Sequence, residues 1–254
     1  MTKYARLLCG KEEFYAIIND DNTFQKVSPS YFLDNYYVSK RKYKLNDNIK
    51  FLSPSKPTKI VCLGLNYKDH AEELKMEVPC EPIIFIKPSS SIVAHKENII
   101  YPDCVKQLDY EGEVAVVIKK QAKNISPREV KNYILGYTCF NDVTARDLQK
   151  KDGQWTRAKS FDTFAPIGPY IVSGIDLENL SIQTILNGKI VQNSNTKSMI
   201  FTVDYVISFV SKIMTLYPGD IISLGTPAGV GPMKKGDTVT VKIENIGELT
   251  NFVK

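Results

Sequence analysis

The stretch Leu108–Lys120 reads LDYEGEVAVVIKK, and its two halves pull in different directions. Val114 to Ile118 is a run of β-branched and small apolar residues, the pattern of a strand buried on both faces. Glu111 and Glu113 stand directly before that run. Side chains alternate along a strand, so both carboxylates project to one side, about 7 Å apart by strand rise. Ala115 and Val117 continue the same side, which makes it an interior face. Two like charges entering an interior raise each other's pKa unless something positive lies between them. The sequence here predicts a compensating cation.

Working outward, the 254-residue chain can bury a large core, as one big domain or a main domain with a smaller one. Its 43% hydrophobic and 24% charged residues are ordinary for a soluble globular protein, so disorder and a fibrous class are set aside. The net charge of +5 comes from dispersed lysines. The most basic stretch, Ser39-Lys40-Arg41-Lys42, is short and reads as a solvated edge, so no nucleic-acid partner is expected. No apolar run approaches the ~20 residues of a membrane span, and the N-terminal MTKYARLLCG lacks the apolar core of a signal peptide. Five dispersed cysteines without a C-x-x-C argue against a disulfide framework or zinc knuckle, and a reducing cytoplasm is the expected location.

Residues 1–52 read as a small β-rich module, with apolar stretches over Tyr4–Leu8 and Glu13–Ile18 and a turn at Cys9-Gly10-Lys11. FLSPSKPTKI, with two prolines and two serines, is the best boundary signal. Lys59–Gly64 then reads as a short strand, and NYKDHAEELKM as a helix with Ala71, Leu74 and Lys75 in phase and Asp69 at its start. Further helices are predicted over Ser126–Ile134 and Asp204–Met214, a hairpin at Asn187-Gly188, and a strand over Thr238–Ile243. Strict strand–helix alternation is absent, which favours a β-rich α+β architecture over a doubly wound parallel sheet.

A third acid, Asp142, ends the apolar run YILGYTCF and precedes VTARDLQKK, at a strand end or helix start. Glu111, Glu113 and Asp142 form a hard-oxygen set suited to Mg²⁺, Mn²⁺ or Ca²⁺, with about three of six positions left for water and substrate. Arg146 and Gln149 follow Asp142 on one side of any helix there, and Lys159 sits in the turn-rich TRAKSFDTFAPIGP. His70 and Glu73 are three apart on the early helix, where a carboxylate can support a histidine base. LGTPAGVG offers backbone N–H groups and the Thr226 hydroxyl for a carboxylate, but lacks the G-K-[ST] of a phosphate loop. His95 reads as an ordinary loop histidine.

KIVCLGLNYKDHAEE, IIFIKPSSSI, LDYEGEVAVVI, GYTCFNDVTARDLQ, WTRAKSFDTFAPIGP and MTLYPGDIISLGTPAGVGPMKKGDTV together resemble the fumarylacetoacetate hydrolase family, in order from about residue 58 to the C-terminus. The resemblance implies a mixed β-sandwich roll with short flanking helices as the catalytic domain over 58–254, behind the variable module 1–52. It also implies a homodimer. It assigns the metal to Glu111, Glu113 and Asp142, with Mg²⁺ the first expectation and Mn²⁺ or Ca²⁺ the alternatives. It places His70, Glu73 and Lys159 in catalysis, and Arg146, Gln149 and Thr226 on the substrate. Ser160 departs from the family pattern, where many relatives carry glycine. The substrate class implied is a 2-oxo acid, and the reading is an acylpyruvate-type hydrolase releasing pyruvate. An oxaloacetate decarboxylase, or a 2-hydroxyhepta-2,4-diene-1,7-dioate isomerase/decarboxylase of aromatic catabolism, is the alternative on the same site. A metal-binding module without catalysis is disfavoured, because metal binding alone needs neither Lys159 nor the His70–Glu73 pair.

Overall fold

The computed structural model describes residues 1–75 and 77–254; Met76 and the side chain of Leu74 lie outside that description. The stretch that opened the sequence reading sits at the middle of the molecule. Gly112–Ile118 is a strand in which every residue is buried, flanked antiparallel by Ile134–Asn141 and Ile221–Ser223. Val114, Val116 and Ile118 pack into the largest core, with Ile182, Val241 and Leu249 and with Val206, Ile207 and Val210 of a helix. On the other face Ala115 meets Cys62, Phe140 and Ile167, while Val117 meets Tyr4, Tyr31 and Ile171. A strand covered on both faces explains an apolar run without alternation.

This strand belongs to a 13-stranded mixed sheet. On one side the order continues through Ile221–Ser223 and Ile60–Leu63, paired in parallel, to Ile84–Lys87 at the edge. On the other it runs through Ile134–Asn141 and Ala165–Ser173 to Thr2–Cys9, Glu12–Ile18 and Thr23–Ser28. Thr2 pairs with Ser173 and Tyr4 with Ile171, so the N-terminal strands share the sheet that carries Gly112–Ile118. A five-stranded sheet, which includes Ser181–Leu186, Lys189–Asn195, Thr238–Ile243 and Gly247–Val253, supplies Ile182, Val241 and Leu249 to the main core. A small third sheet joins Leu108–Tyr110 to Thr144–Ala145 and Gly231–Met233. The architecture is therefore β-rich and mixed, with few and short helices.

Among the described residues four α-helices flank the sheets: α1 (Lys68–Leu74), α2 (Arg146–Asp152), α3 (Thr156–Lys159) and α4 (Val203–Ile213). Asp69 does not cap α1. Tyr67 is the N-cap, and the Asp69 carboxylate instead accepts from the His70 N–H at 2.8 Å inside the first turn. Ser126–Ile134 forms a shorter 3-10 helix, Pro127–Asn132, held by a capping box between Ser126 and Glu129. Asn187 and Gly188 both take positive φ, 50° and 80°, as a two-residue hairpin turn requires. Among the described residues no helix is long and apolar enough to cross a membrane.

The five-stranded sheet is locked onto the centre at Gly112. Its N–H donates to Gln192 Oε1 at 2.9 Å, and the same oxygen accepts from the Thr184 hydroxyl at 2.6 Å. A Cβ at position 112 would fall 2.1 Å from Thr184 Oγ1 and 3.1 Å from Gln192 Oε1. Thr184 and Gln192 are both buried and have nowhere to retreat. Gly112→Ala should therefore destabilise the fold by about 1–3 kcal/mol, the usual cost of overpacking. Urea denaturation reads this as a lower midpoint, and an unchanged midpoint would show that the hairpin does not press on the central strand.

Candidate active site

The three acids converge because two strands break at the same place. Glu111 falls between the strands Leu108–Tyr110 and Gly112–Ile118, and Asp142 directly follows Ile134–Asn141. The Glu111 N–H donates to Asn141 Oδ1 at 2.9 Å, and the Asp142 N–H donates to the Glu111 carbonyl at 2.8 Å. One carboxylate oxygen from each of Glu111, Glu113 and Asp142 lies within 4.8 Å of the others, closer than spacing on a regular strand would bring the two glutamates. All three residues are buried.

Three cationic side chains contact two of these acids. Lys159 donates to Glu111 Oε2 at 2.8 Å and to Asp142 Oδ2 at 2.7 Å. Arg146 reaches Glu111 Oε1, and Lys87 reaches Asp142 Oδ1. Burial alone would raise the Glu111 carboxyl, but Lys159 and Arg146 outweigh it and hold the group far below the usual carboxylate range. Lys159 shows the mirror image, since burial would lower it while Asp142 and Glu111 hold it above the ordinary lysine value. Glu113 has no cation in contact. Burial, then the charges of Asp142 and Glu111, push its carboxyl well up. Its Oε2 accepts from the Ser223 hydroxyl and from the Gly225 N–H at 3.0 Å, whereas its Oε1 is buried without a partner. An unpartnered buried oxygen beside two other carboxylates is the arrangement a divalent cation completes, and an all-oxygen donor set suits a hard one. Glu111, Glu113 and Asp142 are the residues that would hold it.

The other expected groups gather around one cavity of about 540 Å³, lined by Glu111, Lys159, Arg146, Gln149 and His70, and by Leu65, Ile83, Trp155 and Val230. The His70 Nδ1 meets Glu73 Oε2 at 3.0 Å. Glu73 in turn accepts from the Gly229 N–H at 3.1 and 3.2 Å, so the glycine-rich loop pins the dyad. α1 is latched a second time where the Ser194 hydroxyl donates to Asp69 Oδ2 at 2.6 Å. Arg146 and Gln149 share one side of α2, joined at 2.6 Å, and Arg146 Nε also donates to Asp109 Oδ2 at 2.8 Å. Lys159 stands at the end of α3, not in an irregular turn, because a four-residue helix is too short to show periodicity.

Thr226 is placed differently from expectation. Its hydroxyl donates to the Gly112 carbonyl at 3.0 Å and accepts from Gln192 Nε2 at 2.9 Å, so its one hydrogen is committed inside the fold. The loop reaches the cavity through Val230, Gly231 and Pro232 instead. His95 is remote from this cluster: its Nδ1 accepts from the Thr250 N–H at 3.1 Å, and burial with nearby Lys96 lowers it to about 4. Sequence reasoning passed over Lys87, Asp109, Ser223 and Gln192. Lys87 carried a faint signal, as the one charge in the apolar IIFIKP, whereas Asp109 and Ser223 are polar residues that only the fold brings to the site.

The fold is β-rich and mixed, and it brings together an acidic triad that could hold a divalent metal, a buried lysine and a His–Glu dyad. The model of the fumarylacetoacetate (FAA) hydrolase C-terminal family matches residues 59–254, and the chain belongs to that family. An uncharacterised protein of Methanocaldococcus jannaschii is 56% identical over 91% of this chain and 98% of its own length. The mitochondrial oxaloacetate tautomerase Fahd2a of Rattus norvegicus is 46% identical over 81% of this chain and 69% of its own. The crystal structure of 2-hydroxyhepta-2,4-diene-1,7-dioate isomerase from Mycobacterium marinum superposes with a TM-score of 0.92 at 39% identity, covering 100% of this chain and 98% of that one.

Two expectations follow from the geometry. Glu113→Gln keeps an acceptor for Ser223 and Gly225 but removes the charge, so the protein should stay folded while Mg²⁺ affinity falls at least about tenfold. Calorimetry with unchanged affinity would remove Glu113 from the site. Lys159→Met should lower kcat by about 10²–10³, the range for loss of one oxyanion stabiliser, with a smaller change in KM. A variant altered only in KM would make Lys159 a substrate anchor.

Proposed function

We propose that this protein is a divalent-cation-dependent enzyme that moves a proton between carbon and oxygen in a 2-oxo dicarboxylate, interconverting the keto and enol forms of an oxaloacetate-class acid. The observation that carries the reading is His70, held by Glu73 and lining the same cavity as Lys159 and Glu111 of the acidic triad. Glu73 at Nδ1 selects the tautomer with a proton there, which leaves Nε2 as the basic nitrogen. A base, a cationic oxygen stabiliser and a carboxylate cluster are what proton abstraction beside a carbonyl requires.

The buried charges agree with an anionic substrate. Asp109, Glu111, Glu113 and Asp142 face Lys87, Arg146 and Lys159, one negative in excess. Glu111, Glu113 and Asp142 would hold a divalent cation, which would bring the balance to one positive and supply Lewis acidity toward the substrate. His70 removes the proton at the carbon next to the keto group, and Lys159 holds the oxygen where negative charge develops. Arg146 and Gln149 face the distal end, while Leu65, Ile83 and Trp155 keep that side dry. The names of the tautomerase and isomerase relatives support this proton transfer, since both reactions pass through an enol or enolate.

Acylpyruvate hydrolysis is the second reading. The apolar wall of Leu65, Ile83 and Trp155 favours it, because it would suit an acyl tail, and His70 would then activate water for attack on the distal carbonyl. The two readings separate in one assay. Purified protein with Mg²⁺ is given enol-oxaloacetate, followed by ultraviolet absorbance, and acetylpyruvate, followed by pyruvate release. Faster ketonisation with little acetylpyruvate cleavage is expected, and the reverse pattern selects hydrolysis. His70→Ala should slow ketonisation by about 10²-fold, the usual size of a lost general base, with Mg²⁺ affinity unchanged. Full activity in that variant would sink the role given to the dyad.

A further inference from the structure

Each acid of the triad uses its two oxygens differently. One oxygen is anchored in the protein: Glu111 Oε1 by Arg146, Glu113 Oε2 by Ser223 and Gly225, and Asp142 Oδ1 by Lys87. The other three oxygens are the loose ends. Glu111 Oε2 and Asp142 Oδ2 share the Lys159 ammonium, and Glu113 Oε1 has no partner. Lys87 therefore occupies for Asp142 the place that Arg146 occupies for Glu111.

We propose that Lys87 is the positioning residue of Asp142. Its ammonium fixes Oδ1, leaves Oδ2 as the ligand oxygen, and keeps Asp142 neutralised when Lys159 turns to the substrate. The proposal rests on the metal-dependent reading given above. Lys87 ends the edge strand Ile84–Lys87, is fully buried, and is absent from the cavity wall, so it acts through Asp142 and not on the substrate. A second bond to the Val143 carbonyl at 3.1 Å fixes the ammonium against the turn that carries Asp142. Both lysines are needed for a physical reason. Lys159 already serves Glu111 and Asp142, so any bond it gives to a substrate oxygen is taken from one of them. A buried carboxylate stripped of its only cation is strongly unfavourable. With Lys87 in place, Asp142 keeps a counter-ion throughout. Without it, Lys159 becomes the sole partner of Asp142 and stays against Oδ2, where it competes with the metal and is withheld from the substrate.

The test uses the full chain and Mg²⁺ alone, with calorimetric affinity and apo-protein melting measured for wild type, Lys87→Met and Lys87→Gln. The expected result is Mg²⁺ binding weakened about 10- to 100-fold in both neutral variants, the range for loss of an outer-shell partner. kcat for the substrate that wild type turns over should fall more than KM changes, because Lys159 is held back. Should Lys87→Met fail to fold, Lys87→Gln, which keeps a donor for Oδ1 without the charge, decides the matter. Wild-type or tighter Mg²⁺ affinity in a folded neutral variant, even one with a lower melting temperature, reduces Lys87 to a structural ion pair and overturns the proposal. Absence of Mg²⁺ binding by wild type overturns the metal reading itself, and this inference with it.

Discussion

The constraint on which this structure depends is the burial of four carboxylates in one place with two buried lysines and the half-buried Arg146. Asp109, Glu111, Glu113 and Asp142 lie beneath the surface, and Lys87, Arg146 and Lys159 are threaded among them. Removing one member of a buried pair typically costs about 3–5 kcal/mol, because the survivor is left uncompensated. The surrounding fold is arranged to prevent this. The edge strand delivers Lys87, α2 delivers Arg146, and α3 delivers Lys159, each from a different part of the chain. Even so, the cations do not quite balance the acids, and the shortfall appears at Glu113. Its raised carboxyl and unpartnered Oε1 mark where charge is still missing.

The dyad is built by a different economy. α1 has seven residues and no side-chain cap, so its own hydrogen bonds hold it weakly. Contacts from elsewhere fix it: Ser194 on Asp69, and Gly229 on Glu73. The loop that holds Glu73 is also the loop that Gln192 ties to Gly112, through Thr226 and the Pro227 carbonyl. The dyad and the strand that carries Glu113 are thus positioned by one continuous set of hydrogen bonds. Thr226 serves this set as a structural link, which accounts for its displacement from the cavity wall.

Much of this was legible in the sequence wherever chemistry and local pattern coincide. Glu111, Glu113 and Asp142 stood out because charge beside a buried strand is costly, and His70 with Glu73 because helical spacing joins them. The 187–188 hairpin followed from Asn-Gly chemistry. What stayed hidden depends on pairing between distant strands. Lys87 meets Asp142 across 55 residues and Ser223 meets Glu113 across 110, and neither separation leaves a periodic trace. Asp69 was misplaced by two positions because Tyr67, a residue without capping chemistry, begins α1. Lys159 was read as part of a turn because α3 is a single turn of helix.

The same reasoning explains why relatives of this chain can bear the names of different reactions. On the proposed function, the triad and Lys159 would set up one event, the gathering of negative charge on an oxygen next to a carboxylate. Whether that charge came from a lost proton or a broken carbon–carbon bond is not their concern. The outcome would then be decided at the far side of the cavity, which His70, Leu65, Ile83, Trp155, Arg146 and Gln149 line. Arg146 is tied to Asp109, Glu111 and Gln149 at once, so it presents a distal group with a neutralised, rigid edge and not a free cation. On that reading, specificity would rest on how the Arg146 ion pairs and the apolar wall beside them receive the distal group of the substrate.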